Sequence, residues 1–189
     1  MQEPLAATDS ILLLEAFIFA RNKHFGQVRR GGSRPYIAHP VGVSRILSQF
    51  KHLPHLTELR AAGLLHDVLE DTNATEKDLR ARFPSQVVSW VLEVTSNPKE
   101  VRRIGKFEYI KTRMCHYSDN ALLLKLSDRL DNVSDLPTPK MVEDTLRTMY
   151  YVGSVRKFTA AQGLLAQKIV DVCQGRLDSA GAGDRAADG

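Results

Sequence analysis

Cysteine is scarce in this chain: 189 residues contain two, Cys115 and Cys173, far apart and outside any Cys-x-x-Cys pattern. That argues against a disulfide framework or a thiolate zinc clamp, and fits reduced, packed thiols in a cytoplasmic protein. Long apolar runs are missing too. The longest, Ile11 to Ala20, is interrupted by Glu15 and has no basic segment before it, which excludes a membrane span and a secretion signal. Period-two alternation bounded by turn signals is nearly absent, so no sheet is expected, and no internal repeat is visible. The basic segments lack interleaved aromatics and match no recognised binding motif, which disfavours a nucleic-acid partner.

What is present suits one helical domain. With 43% hydrophobic residues the chain can close one sizeable core, and nothing marks a second domain. Apolar residues recur at intervals of three and four, so the fold class is all-α. The domain is assigned to residues 1–174. Residues 175–189, small and polar with one leucine, are expected to form a disordered tail. Thr8, Asp9 or Ser10 is expected to cap a first helix ending near His24. Gly31-Gly32 then opens a basic loop, Gly26 to Pro35. Further helices are expected after Pro40 to about Lys51, from Leu56 to Glu70, after the capping box Thr75-Glu76-Lys77-Asp78, and from Phe83-Pro84-Ser85 to Thr95. Two more follow Glu100 and Ser118 or Asp119. A last helix is expected over Lys140 to Gln174, with Val152, Val155, Leu164, Leu165 and Ile169 as packing candidates.

The net charge of +4 is modest but unevenly spread: Arg21 to Arg34 holds five basic residues and no acid, and Lys99 to Arg113 holds six against two. An anionic ligand or a solvated face accounts equally well for these runs. Against that background stand His39, His66, Asp67 and Asp128, a His … His-Asp … Asp pattern with every member in a helical stretch. Two imidazoles and two carboxylates fill only part of a divalent cation's coordination sphere, leaving positions for water and a phosphate oxygen, as hydrolysis requires. In a continuous helix Glu70 lies four residues after His66 and three after Asp67, and Asp71 one turn beyond Asp67. Glu70 and Asp71 are therefore the candidates to orient or deprotonate a water at the metal. Asn132, one turn below Asp128, either donates to a phosphate or ribose oxygen or ties two helices together. Arg129 and Asp131 read as a surface ion pair. His52, His55 and His116 read as surface residues, His24 as packed beneath the basic loop, and Trp90 as core.

Four segments, in order, resemble one family. His24-Phe25-Gly26-Gln27-Val28-Arg29 is similar to H-x-G-Q-x-R, Pro35 to Pro40 to P-Y-I-x-H-P, Leu64 to Thr72 to L-L-H-D-x-x-E-D-T, and Lys125 to Asn132 to K-L-A-D-R-L-x-N. The chain, over His24 to Leu136, resembles the HD-domain hydrolases of the RelA/SpoT type, in particular the small stand-alone alarmone hydrolases. The resemblance implies a helical HD-domain bundle with Mn²⁺ held between helices by His39, His66, Asp67 and Asp128, and Glu70 and Asp71 catalytic. It also implies Arg29 or Arg30 against the base or its phosphates, Asn132 on the sugar-phosphate, and Tyr150, with Tyr151 as alternative, on the ligand. The loop after Gln27 is one residue longer than in the bifunctional relatives, and Asp131 stands where they carry His or Tyr.

The expected reaction is hydrolysis of the 3′-pyrophosphate of ppGpp or ppApp, giving the nucleoside 5′-di- or triphosphate and pyrophosphate. Lys99, Arg102, Arg103 and Lys106 are further candidates to balance substrate charge. Two alternatives are a phosphatase for the 2′-phosphate of NADPH and a non-catalytic nucleotide sensor. No pyrophosphokinase domain follows the last helix, so alarmone synthesis is not expected. A homo-oligomer is compatible with the sequence.

Overall fold

Leu122, Leu123, Leu124, Leu126, Leu130 and Val133 surround one helix with apolar surface, and a helix of that kind has to be covered on most sides. The computed structural model, which describes residues 5–187 and the side chains of 8–179, covers it with other helices. These are α1 (Leu5–Lys23), α2 (Ala38–Leu47), α3 (Leu56–Leu65), α4 (Val68–Asp71), α5 (Glu76–Arg80), α6 (Ser85–Val94), α7 (Pro98–Ile104), α8 (Lys106–Met114), α9 (Asp119–Ser134), α10 (Pro139–Val155) and α11 (Ala160–Ala187). Helix α9 is the apolar one; α2, α3, α6, α10 and α11 pack on it, and α1 closes the far side of α3. Trp90 is buried in the core. No strand occurs among the described residues; Val28 and Pro35 form an isolated antiparallel bridge.

Local chemistry explains most boundaries. Thr75 and Asp78 form the expected capping box. Ser118 accepts from the Ala121 amide at the start of α9, and Asn97 and Thr138 cap helices whose first residue is proline. Helix α2 begins at Ala38, two residues before Pro40, so His39 and Pro40 both sit in its first turn, where a missing N–H is tolerated. Thr8, Asp9 and Ser10 lie inside α1 and are not its cap.

Three helices expected to be continuous are broken. The stretch Leu56 to Glu70 divides at His66-Asp67, with Asp67 at φ −97°, ψ −6°. Gly105, at φ +83°, separates α7 from α8. The last helix divides at residues 156–159. There Thr159 and Gln162 make a reciprocal cap: the Thr159 amide donates to Gln162 Oε1 and the Gln162 amide to Thr159 Oγ1. Arg156 holds the corner by donating to the carbonyl of Tyr117 at 2.6 Å and to Asp119 at 2.8 Å. Val152, Leu165 and Ile169 are buried as expected, but Val155 and Leu164 are exposed.

The backbone also stays helical past Gln174, through Ala187, where composition predicts a disordered tail. The reason is tertiary. Leu177 packs on the core and Arg176 donates to the Ser134 carbonyl at 2.9 Å, so the segment borrows its stability from the end of α9.

Candidate metal centre and phosphate cavity

Helix α9 carries Lys125, Asp128, Asp131 and Asn132 at spacings of three and four, with Asp135 at its C-cap continuing the row, so one stripe of an otherwise apolar helix is polar. That stripe faces the first turn of α2 and the break between α3 and α4. His39, His66 and Asp128 are buried there, with ligand atoms all within 4.8 Å of one another. Asp67 joins them: its Oδ2 lies 3.4 Å from His39 Nε2 and 3.1 Å from His66 Nε2. His39 Nε2 lies 3.3 Å from Asp128 Oδ1. Two atoms each about 2.1 Å from one cation stand roughly 3.0–3.4 Å apart, so these spacings fit a shared divalent ion.

The nitrogens point the right way. His66 Nδ1 is 2.8 Å from the Gly63 carbonyl and must donate to it, which leaves the lone pair on Nε2. That Nε2 is buried with no hydrogen-bond partner among the described residues, an orphan that a cation would satisfy. His39 Nδ1 is 2.7 Å from Asp131 Oδ2 and its Nε2 faces Asp67 and Asp128. Burial works against the His39 imidazolium, but Asp128, Asp131 and Asp67 outweigh it and push its pKa up to about 11. Burial likewise opposes ionisation of Asp128, yet Lys125, 2.9 Å from Oδ2, and Arg129 hold that carboxyl well below the usual range. Asp67 is lowered in the same way by His66 and His39 against the cost of burial.

The break at His66-Asp67 sets where Glu70 and Asp71 go. Both are exposed, unlike the ligand cluster, and they diverge. Glu70 Oε1 accepts from the Ser96 amide at 2.8 Å, while Asp71 Oδ2 accepts from Tyr36 Oη at 2.9 Å. Tyr36 Oη also lies 2.7 Å from Asp67 Oδ2, and burial together with these two carboxylates raises its pKa beyond any physiological range. Tyr36 therefore stays a phenol and links Asp67 to Asp71.

The basic loop is a tight reversal: the Arg29 amide donates to the Arg34 carbonyl and the Tyr36 amide to the Gln27 carbonyl, and Gly31 and Gly32 take φ of +94° and +83°. His24 lies beneath it as expected, stacked on Tyr36 and bonded to Gln27. Arg29 is turned inward to Asp135 at 3.2 Å and to the Asn132 carbonyl oxygen at 3.3 Å. Asn132 in turn donates to Asp128. A cavity of about 740 Å³ opens over this floor, and Arg29, Arg30, Lys106, Lys125, Arg129 and Lys140 reach it. Such a volume suits a nucleotide-sized ligand.

Some expectations fail here. Tyr150 does not line the cavity; it is exposed and its hydroxyl accepts from Gln174. Tyr151 stands over Lys111 instead. The wall from α10 is made by Lys140, Met141, Asp144, Thr145 and Thr148, a cavity-facing side of that helix from which Tyr150 points away. Of Lys99, Arg102, Arg103 and Lys106, Lys106 alone lines it. Asp131 and Arg129 are not a surface pair: Asp131 holds His39, and Arg129 approaches Asp128 at 3.4 Å. The i, i+3 relation of Asp128 and Asp131 was the signal available for this.

Comparison with known proteins agrees with this arrangement. The HD domain family profile matches residues 16–150. The chain belongs to the HD-domain family. This HD domain is 41% identical over 134 residues to the guanosine-3′,5′-bis(diphosphate) 3′-pyrophosphohydrolase MESH1 of Xenopus tropicalis, covering 69% of this chain and 72% of that protein. With the human MESH1 the identity is 38% over 130 residues, covering 68% and 72%. The guanosine-3′,5′-bis(diphosphate) 3′-pyrophosphohydrolase of Aquifex aeolicus (strain VF5) is 38% identical over 130 residues, 64% of this chain but 17% of that longer protein. A solved structure of a metazoan ortholog of SpoT, which hydrolyzes ppGpp and plays a role in starvation responses, superposes with TM-score 0.74 at 28% identity, covering 93% of this chain and 98% of that one.

Proposed function

We propose that this HD domain hydrolyses the 3′-pyrophosphate of ppGpp, releasing the nucleoside 5′-diphosphate and pyrophosphate, with Mn²⁺ as its metal. The observation that carries the reading is the cluster of buried His39, His66 and Asp128 with half-buried Asp67 beside them, with an orphaned imidazole nitrogen, at the floor of a cavity rimmed by arginine and lysine. The named activity of the MESH1 relatives supports the substrate. Histidine nitrogen with carboxylate oxygen suits Mn²⁺ and also Fe²⁺ or Zn²⁺. The two unpaired cysteines support a reducing, cytoplasmic setting.

His39, His66, Asp67 and Asp128 would hold the cation, which would acidify water and polarise the phosphoryl group. Water adds to the phosphorus attached to the 3′ oxygen, and the bond between that phosphorus and the 3′ oxygen breaks. Glu70, fixed by the Ser96 amide, and Asp71, fixed by Tyr36, stand beside the ligand cluster to take the water's proton. The carboxyl returns that proton to the departing 3′ oxygen, so the net reaction consumes one water. Arg29, Arg30, Lys106 and Lys140 meet the phosphates, and Asn132 meets the sugar-phosphate. A ligand phosphate would displace Arg29 from Asp135, exchanging one anion for another.

The test is product release by metal-stripped protein, with and without added Mn²⁺, from ppGpp, ppApp and NADPH. Mn²⁺-dependent pyrophosphate from ppGpp, lost in Glu70→Ala, is the expected outcome. Orthophosphate from NADPH without pyrophosphate from either alarmone would overturn it.

A further inference from the structure

The two imidazoles of the cluster are oriented by different acceptors. His66 leans on a backbone carbonyl, that of Gly63, whereas His39 leans on a carboxylate, that of Asp131. We propose that Asp131 is a positioning residue for the metal centre: it fixes the His39 tautomer, presents Nε2 to the cation and makes His39 the stronger nitrogen donor. This rests on the metal-centre reading above.

Three observations carry it. The Nδ1 to Oδ2 separation is 2.7 Å, and His39 is 1% exposed, so no water competes for Nδ1. The facing position on α2 is Gly42, where a Cβ would overlap the Asp131 carboxylate, so the approach of α9 to α2 is built around that side chain. Arg29 Nη2 lies 3.9 Å from the same Oδ2 and donates to Asn132 Oδ1, while Arg29 Nε donates to Asp135, so the carboxylate is braced from the cavity side as well. An imidazole whose Nδ1–H is held by a carboxylate is a more basic ligand than one held by a carbonyl, and removing such a partner typically weakens metal binding 10- to 100-fold. Asp131 touches no substrate atom in this scheme; it acts through His39.

The experiment uses the full chain, stripped of metal. Mn²⁺ binding is measured by calorimetry, and Co²⁺ binding by its visible spectrum, for wild type, Asp131→Leu, Asp131→Asn and Gly42→Ala, without substrate. Asp131→Leu is expected to bind Mn²⁺ about 10- to 100-fold more weakly, with an altered Co²⁺ spectrum. Asp131→Asn, whose carboxamide oxygen still accepts from Nδ1 but carries no charge, keeps the tautomer and loses the added basicity, and is expected to fall between wild type and Asp131→Leu. Gly42→Ala, which leaves Asp131 in place but displaces its carboxylate, is expected to fall between wild type and Asp131→Leu, and it decides the matter if Asp131→Leu fails to fold. Wild-type affinity in Asp131→Leu or Gly42→Ala, or equal loss in Asn and Leu, would overturn the proposal. A wild-type chain that binds neither ion overturns the metal centre itself. Failure to hydrolyse ppGpp with Mn²⁺ bound counts against the substrate alone, because the affinities are read without it.

Discussion

Tyr36 donates to Asp71 Oδ2 at 2.9 Å while its oxygen also lies 2.7 Å from Asp67 Oδ2. One phenol from the loop ahead of α2 thus spans the break between α3 and α4, and it keeps the Asp67 and Asp71 carboxylates in register. Removing the hydroxyl leaves both free to rotate. Tyr36→Phe is expected to lower kcat on ppGpp by about 10- to 100-fold through misplaced groups, and to cost about 1–2 kcal/mol of stability. Steady-state kinetics and a melting curve check both; an unchanged kcat would remove Tyr36 from the machinery.

The ligand cluster and the Glu70 carboxylate occupy different environments, buried in one case and exposed in the other. Their variants should separate accordingly. His66→Ala and Asp128→Ala are expected to lose Mn²⁺ and turnover together. Glu70→Gln is expected to keep Mn²⁺ and lose about 10²- to 10⁴-fold in kcat. Calorimetry alongside the pyrophosphate assay distinguishes the two patterns.

His39 supplies the pH dependence. Its pKa rises from 6.5 to about 11 in the metal-free protein, so its contribution to stability is fully present below 6.5 and is lost as pH climbs toward 11. A cation on Nε2 must displace that proton. Binding of Mn²⁺ near neutral pH is therefore expected to release about one proton. Calorimetry in buffers of different ionisation enthalpy counts it; no release would mean that His39 is already neutral.

The helix beyond Gln174 is expected to matter for folding and not for chemistry. Truncation after Gln174 removes Leu177 and the Arg176 bond to Ser134, and should cost about 1–3 kcal/mol. A truncated chain with an unchanged melting temperature would show that the segment contributes nothing.

Much of this protein was legible in its residues because the signals are local. Helical periodicity, the Thr75-to-Asp78 box and the Ser118 cap depend on neighbours within one turn, and their elements form as expected. Thr159 and Gln162 carried the same kind of signal, hidden inside an apolar pattern that reads through the break. The four ligand candidates were legible because buried histidine and aspartate need a reason to be there. Their second partners were not. Asp131, read as a surface charge, faces His39 across 92 positions of sequence, and Tyr36 faces Asp67 and Asp71 across 31 and 35 positions. Tyr150 illustrates the converse: a tyrosine at a plausible sequence position is turned away by the register of α10.

The sequence by itself determined the all-helical class and which imidazoles and carboxylates form the cluster, because helix periodicity and the cost of burying polar groups act residue by residue. Only the tertiary structure decided which nitrogen of each histidine faces the site, which carboxylate orients His39, and where Glu70 and Asp71 point. Those depend on how closely α2 approaches α9 at Gly42 and on the turn at His66-Asp67, distances that arise only when separate helices pack together.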